Sequence, residues 1–369
     1  MVCAKKSASA IATVATAATS VYQASTATGS GPVATGAAAL IASNSTSPSI
    51  NTTSAVATTS ASASAANTGI KGFNYAAFFL DYTAKKQADF EYEFQRAQAL
   101  TNTTGWNSAR LYTMIQYDTT NTPIEAIPAA ISTNTSLLLG LWVSGSTSAI
   151  TNEIAALKSA ISTYGTEFTD LVQGISVGSE DLYRDAEGDS SDPGVAVDDL
   201  IDYISQVRTA IEGTSLADIP VGHVDTYDSF ENATNIKIIN DIDWLGFDGY
   251  PYWESSNGNA IENAHELFYN GLNKTNAIAQ GKPVWITETG WPTAGENFGE
   301  AVASAANART YWKEVACELV ASNINLWYYD LQESQNGEAN PDFGIFPAGD
   351  LFAVQERFDL SCVSSASLL

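Results

Sequence analysis

From Ile70 onward the chain alternates short apolar runs with longer stretches whose apolar residues recur at helical spacing. The apolar runs are GIKGFNYA (69–76), NSARLYT (107–113), LLLGLWV (137–143), LVQGISVG (171–178), PVGHVDT (220–226), DWLGFDGY (243–250), PVWITE (283–288) and NLWYYD (325–330). Each has the length and composition of a buried strand. Between them lie QADFEYEFQRAQAL, TNEIAALKSAISTY, GVAVDDLIDYISQVRTAI, NAIENAHELFYNGLNKTNAIA and GEAVASAANARTYWKEVACELVA, which read as amphipathic helices. The connection after NSARLYT is weaker, with only a short helix near IEAIPAA. Eight strands alternating with helices predict an α/β fold, a (β/α)8 barrel. A doubly wound sheet is the runner-up, but no glycine-rich phosphate loop follows any strand.

Residues 1 to 69 differ in kind. They are almost all Ala, Ser, Thr, Gly and Val, with no Asp or Glu and Tyr22 as their one aromatic residue. Such a segment cannot bury enough apolar surface to offset chain entropy and is expected to be a disordered stalk or linker. The organisation is therefore a 1–69 stalk, a 70–362 barrel and a short tail at 363–369. Sequons at Asn44, Asn51, Asn102, Asn134, Asn232 and Asn273 suit the secretory route and an extracellular, glycosylated product. The first 22 residues are too diluted by Ser and Thr to read as a signal core, so the targeting signal is not visible in this chain. SSASLL at the other end is too short for a lipid-anchor signal.

The chain of 369 residues carries a net charge of −25, which argues against nucleic acid and acidic membranes as partners. No apolar run is long enough to span a membrane. Two distant histidines and three cysteines without a CxxC make a zinc site unlikely to form, and no metal or organic cofactor is implied. Cys317 and Cys362 could form a disulfide tying the tail to a late helix, leaving Cys3 over; the pairing is open in the sequence.

Two strand ends carry candidate chemistry. GISVGSEDLYR places Glu180 just beyond the fourth strand, and VWITETGWP places Glu288 at the end of the seventh. In a closed barrel these ends face each other across one mouth. Two facing carboxylates are what glycoside cleavage needs, one holding a proton and one ionised. A lone glutamate after a strand is more often a cap or an ion-pair partner; the pair together favours function.

ITETGWP resembles the stretch around the nucleophile of glycoside hydrolase family 17, and GISVGSEDLYR resembles that family's acid/base strand. KGFNYA, NSARLYTMIQ, SLLLGLW, GHVDT, DWLGFDGYPYW and NLWYYDLQES fall in the order of fungal members, in particular the lipid-anchored cell-wall endo-1,3-β-glucanase type. The likeness runs from about residue 70 to 360. It implies a (β/α)8 barrel, a retaining reaction and β-1,3-glucan as partner; the product is expected to be a monomer at the fungal cell wall. By that resemblance Glu288 is the nucleophile and Glu180 the acid/base. Arg110 is expected to hold Glu288 ionised, and Tyr250 to donate to Glu288 or the sugar. Tyr75, Tyr112, Asp248, Tyr252 and Trp253 are expected along the cleft. Trp291 is expected to offer a ring for the sugar, with Gly290 letting the turn pass close to it. Glu333 resembles a family glutamate near the site, but SQN follows where plant members carry a lysine. Ser179 stands where many related barrels have Asn, with shorter reach to a sugar hydroxyl. Trp142 reads more readily as core, and His223 equally as a buried bonding residue or a substrate contact. A glucanosyltransferase that remodels the wall and a non-catalytic glucan-binding wall protein are the alternatives.

Overall fold

A computed structural model describes residues 69–188 and 190–362. The expected stalk at 1–69, the leftover Cys3 and the tail at 363–369 lie outside these residues, apart from Gly69. Eight parallel strands close into a barrel in sequence order. They are β1 (Lys71–Tyr75), β2 (Trp106–Leu111), β3 (Ser136–Leu141), β4 (Val172–Val177), β5 (Val221–Asp225), β6 (Trp244–Asp248), β7 (Val284–Glu288) and β8 (Leu326–Tyr328). Each lies inside or within one residue of the stretch its apolar run predicts.

The main helices are α1 (Gln87–Gln98), α2 (Ala126–Thr133), α3 (Ala149–Thr169), α4 (Asp181–Glu187), α5 (Val197–Ile211), α6 (Tyr227–Glu231), α7 (Ala264–Ile278), α8 (Ala305–Tyr311) and α9 (Cys317–Ala321). α2 is the short helix expected after β2. α8 starts later than its apolar pattern because Ser304 caps it, accepting from the Asn307 amide. α8 and α9 are joined by a π turn over Trp312–Ala316. Cys317 at the start of α9 is bonded to Cys362, with their Cα atoms 5.3 Å apart. The sequence left this pairing open.

The apolar faces of the helices pack on the outside of the sheet in one large core. A second, smaller cluster of Leu138, Val224, Trp244 and Trp327, with Trp285 against it, comes from the strands themselves. Trp327 of β8 donates to Ser108 of β2 at 3.0 Å, and the Trp285 ring of β7 abuts Gly174 of β4. Residues from non-adjacent strands meet, so these rings plug the barrel interior. The plug gives the strand ends above it a rigid floor.

Candidate active site

The carboxyl ends of the strands carry a polar crown above the aromatic plug. At its centre Glu288, the last residue of β7, is fully buried. Its Oε1 accepts from the Arg110 guanidinium at 2.6 Å and from the Tyr112 hydroxyl at 2.8 Å. Its Oε2 accepts from the Tyr250 hydroxyl at 2.8 Å. Three donors from the ends of β2 and β6 therefore converge on one carboxylate. Charge-assisted bonds of this kind are among the strongest a protein makes.

Arg110 ties the crown together. Its Nη1 also donates to Asn74 Oδ1 at 2.7 Å, and its Nη2 to Ser179 Oγ at 2.9 Å. Burial works against its charge, but Glu288 and Asp248 more than offset that and hold the guanidinium firmly protonated. Asp248, at the end of β6, accepts from Thr287 at 2.6 Å. Its other oxygen is buried without a partner. Burial and then the charge of Glu288 push its carboxyl well above the usual range.

Glu180 sits across the mouth in a different setting. β4 ends at Val177, and the chain turns through Gly178, at φ +77°. A side chain there would meet the Asp181 carboxylate at 2.1 Å, so glycine is required on both counts. Glu180 itself lies in the left-handed region, at φ +54°. Such a conformation is uncommon for a residue with a side chain and collects at functional sites. Its amide donates to Val224 at 2.8 Å. Its carboxyl group has no hydrogen-bond partner among the described residues, and the residue is 3% exposed. Burial, then the charges of Glu288 and Asp225, push it well above the ordinary carboxyl range. One carboxylate gripped by donors thus stands opposite one whose carboxyl is pushed up by burial and neighbouring charge.

The remaining expected residues divide into three groups. Ser179 is engaged by Arg110 and is 5% exposed, so it serves the crown first. Tyr75 and Glu333 line a cavity beside the site. Glu333 accepts from Tyr329 at 3.1 Å and from the Phe343 amide at 2.6 Å, and burial pushes it up to about 8. Trp142 is half-buried and lines the same cavity, with the Arg184 guanidinium 4.6 Å from its ring centre. It is a wall of the cavity rather than core.

Trp291, Tyr252 and Trp253 depart from expectation. Trp291 is 0% exposed, donates to Val302 at 3.0 Å and packs against Tyr252 and Tyr311. It offers no face to a sugar. Tyr252 and Trp253 join it in a buried aromatic cluster with Phe298 and Phe343. Gly290 also has another reason. A side chain there would come within 2.0 Å of the Tyr329 carbonyl, so it lets β7 and β8 close together. His223 is buried, bonded to Val177 at 2.8 Å and Asp225 at 3.0 Å.

Two crown residues escape the sequence reading. Asn74, at the end of β1, orients Arg110 and donates to Thr287 at 3.1 Å. Asp225, at the end of β5, is fully buried, accepts from the Leu182 amide at 2.9 Å and adds its charge beside Glu180. The signal available for both is a polar residue closing an apolar strand.

The model of the BtgE/BtgC glycoside hydrolase domain matches residues 72–344. The chain is 53% identical over 307 residues to the protein named probable glucan endo-1,3-beta-glucosidase from Aspergillus niger, covering 82% of this chain and 66% of that one. It is 52% identical over 305 residues to the protein of the same name from Aspergillus oryzae, covering 82% and 65%. The chain thus spans slightly less than two thirds of the length of these relatives. Among solved structures it is similar to the glycoside hydrolase family 17 beta-1,3-glucanosyltransferase from Rhizomucor miehei. That match has a TM-score of 0.63 at 25% identity, over 79% of this chain and 97% of the other. The barrel, its paired strand-end glutamates and the family match over most of its length agree: the chain belongs to the BtgE/BtgC glycoside hydrolase family.

Proposed function

We propose that the chain is a retaining endo-1,3-β-glucanase that cleaves β-1,3-glucan by double displacement. The observation that carries this reading is the contrast between Glu288, gripped by Arg110, Tyr112 and Tyr250, and the buried Glu180 opposite. Glu288 attacks the anomeric carbon as a carboxylate while Glu180 gives its proton to the departing glycosidic oxygen. The sugar is then held as an ester on Glu288, whose charge is spent. That charge is one of the causes keeping Glu180 protonated, so its loss frees Glu180 to serve as base. Glu180 takes a proton from water, water adds to the anomeric carbon, and the ester bond breaks with net retention.

Arg110, Tyr112, Tyr250 and Asn74 are read as the group that positions Glu288; Tyr75, Ser179, Asp248 and Glu333 support or border the cleft. A second reading is favoured by the resemblance to a protein named as a beta-1,3-glucanosyltransferase. If a glucan hydroxyl replaces water in the second step, the same two glutamates transfer the chain and remodel glucan. The disulfide suits an oxidising compartment, and the relatives' names suit work outside the cell at a fungal wall. No helix among the described residues is long and apolar enough to cross a membrane.

A product time course on one defined β-1,3-gluco-oligosaccharide tests both readings. Shorter products alone, lost in Glu288→Gln, mark the hydrolase. Products longer than the starting chain mark the transferase. No change in chain length with the unsubstituted protein sinks both.

A further inference from the structure

A cavity of about 670 Å³ lies beside the crown, bordered by the segments that follow β1, β2, β3 and β8. Its volume is that of a small-molecule site. It reaches the environment of Glu288 through Tyr112 and Asn74. Neither Glu288 nor Glu180 lines it, but Tyr112, which is bonded to Glu288, does, whereas Ser179 and Asp225 beside Glu180 do not. A leaving sugar must lie against the proton donor, so a cavity that joins the nucleophile's partners and leaves the donor aside runs along the glycone part of the chain.

Three aromatic rings stand in this cavity well beyond the strand ends. Phe78 and Tyr82 belong to the loop after β1, and Tyr117 to the loop after β2. Both loops are stiffened by antiparallel bridges, Phe78 with Ala84 and Ile115 with Pro123. The Phe78 ring centre is 4.4 Å from Tyr117 and 5.9 Å from Tyr82, with interplanar angles of 37° and 31°. The rings form a shallow row. Tyr82 is 44% exposed, unlike most large aromatic side chains among the described residues. It also sits at φ +63°, a region a bulky side chain seldom occupies. Its turn is fixed by the Tyr82 amide on Phe79 at 2.8 Å and the Phe79 amide on Thr83 at 2.9 Å. An exposed ring held in a strained turn at the lip of a cavity calls for a reason beyond packing.

We propose that Tyr82, backed by Phe78 and Tyr117, is a distal platform for the glycone segment of the glucan, so that the enzyme reads sugar units beyond the one being cut. The inference rests on the glucanase reading for its ligand. β-Linked glucose rings present apolar C–H faces, and an aromatic row supplies matching faces without hydrogen bonds. Tyr82 thereby becomes a determinant of chain-length preference.

The test is calorimetric titration of β-1,3-gluco-oligosaccharides of increasing length into Glu288→Gln, with and without Tyr82→Ala. Affinity should rise with chain length, and Tyr82→Ala should weaken the longest chain about fivefold, with a loss that grows along the series. Tyr82→Phe keeps the ring and should bind like the Tyr82 protein. Equal affinity with and without the ring, or the same loss at every length, overturns the platform. Cleavage by the unsubstituted protein with no Tyr82 effect overturns the platform alone. Length-dependent binding that needs Tyr82, with no cleavage, removes the enzymatic reading and leaves the platform standing. Binding at no length removes both.

Discussion

The ends of β7 and β4 carry the same side chain in opposite settings. Glu288 ends a regular strand and accepts three short hydrogen bonds. Glu180 follows a glycine turn, sits in a left-handed conformation, and in a residue only 3% exposed its carboxyl has no hydrogen-bond partner among the described residues. Donors that grip a carboxylate stabilise its charge; burial without donors favours the neutral acid. The proposed division of roles therefore rests on neighbours and backbone shape, with no difference in the residue itself. The cost is carried by Arg110, a buried charge whose Nη1 and Nη2 are taken up by Glu288, Asn74 and Ser179 while its Nε is left without a partner.

The largest expected effect comes from erasing the charged end. Glu288→Gln should lower kcat on β-1,3-glucan by about 10⁴-fold or more, as measured by reducing-end release. Glu180→Gln should cost about 10²- to 10⁴-fold on glucan. Much of that loss should disappear on an aryl glycoside whose leaving group needs no proton, whereas Glu288→Gln should gain nothing from it. Equal rescue of both variants would erase the distinction between the two ends.

Removing the link between them should be felt in stability. Arg110→Met leaves Glu288 and Asp248 buried without their cation and should destabilise the fold by about 3–5 kcal/mol in denaturant titration. Tyr250→Phe removes one donor and keeps the packing; kcat/KM should fall about tenfold, with little change in melting temperature.

The comparison is also sharpened through pH. Glu153, on α3, accepts from the Met114 amide at 2.7 Å and from the Thr113 hydroxyl, and burial still pushes it up to about 8. Glu333 is raised to about 8 for the same first reason. A carboxyl raised in the folded state contributes stability that is complete below its ordinary range and is lost as pH rises through the folded value. The melting temperature should therefore fall between about pH 5 and pH 8, and Glu153→Gln should flatten that slope. Glu180 has the same sign, so turnover should fall as pH rises through its elevated value.

Much of this was legible along the chain, for physical reasons. Strands buried on both faces need continuous apolar runs, so all eight were visible, and so were Glu180 and Glu288 as acidic residues closing two of them. Arg110 and Tyr250 were named only through the family resemblance. Trp291 misled because a tryptophan beside a glutamate reads alike whether its ring faces solvent or the loop carrying Val302. Glu153 was silent because its partner Thr113 lies 40 residues away in the loop after β2. The aromatic row was silent too: Phe78 and Tyr82 lie in a loop without periodicity, and only the fold sets them beside Tyr117.

The most direct test of the account is to trap the sugar on the protein. A β-1,3-linked glucosyl donor with fluorine at C2 and a fluoride leaving group should accumulate as an ester, to be located by mass spectrometry of the digested protein. The account predicts one adduct, on the peptide carrying Glu288, absent from Glu288→Gln. An adduct on Glu180 or Glu333, or cleavage of glucan with no adduct and inversion at the anomeric carbon, would contradict it.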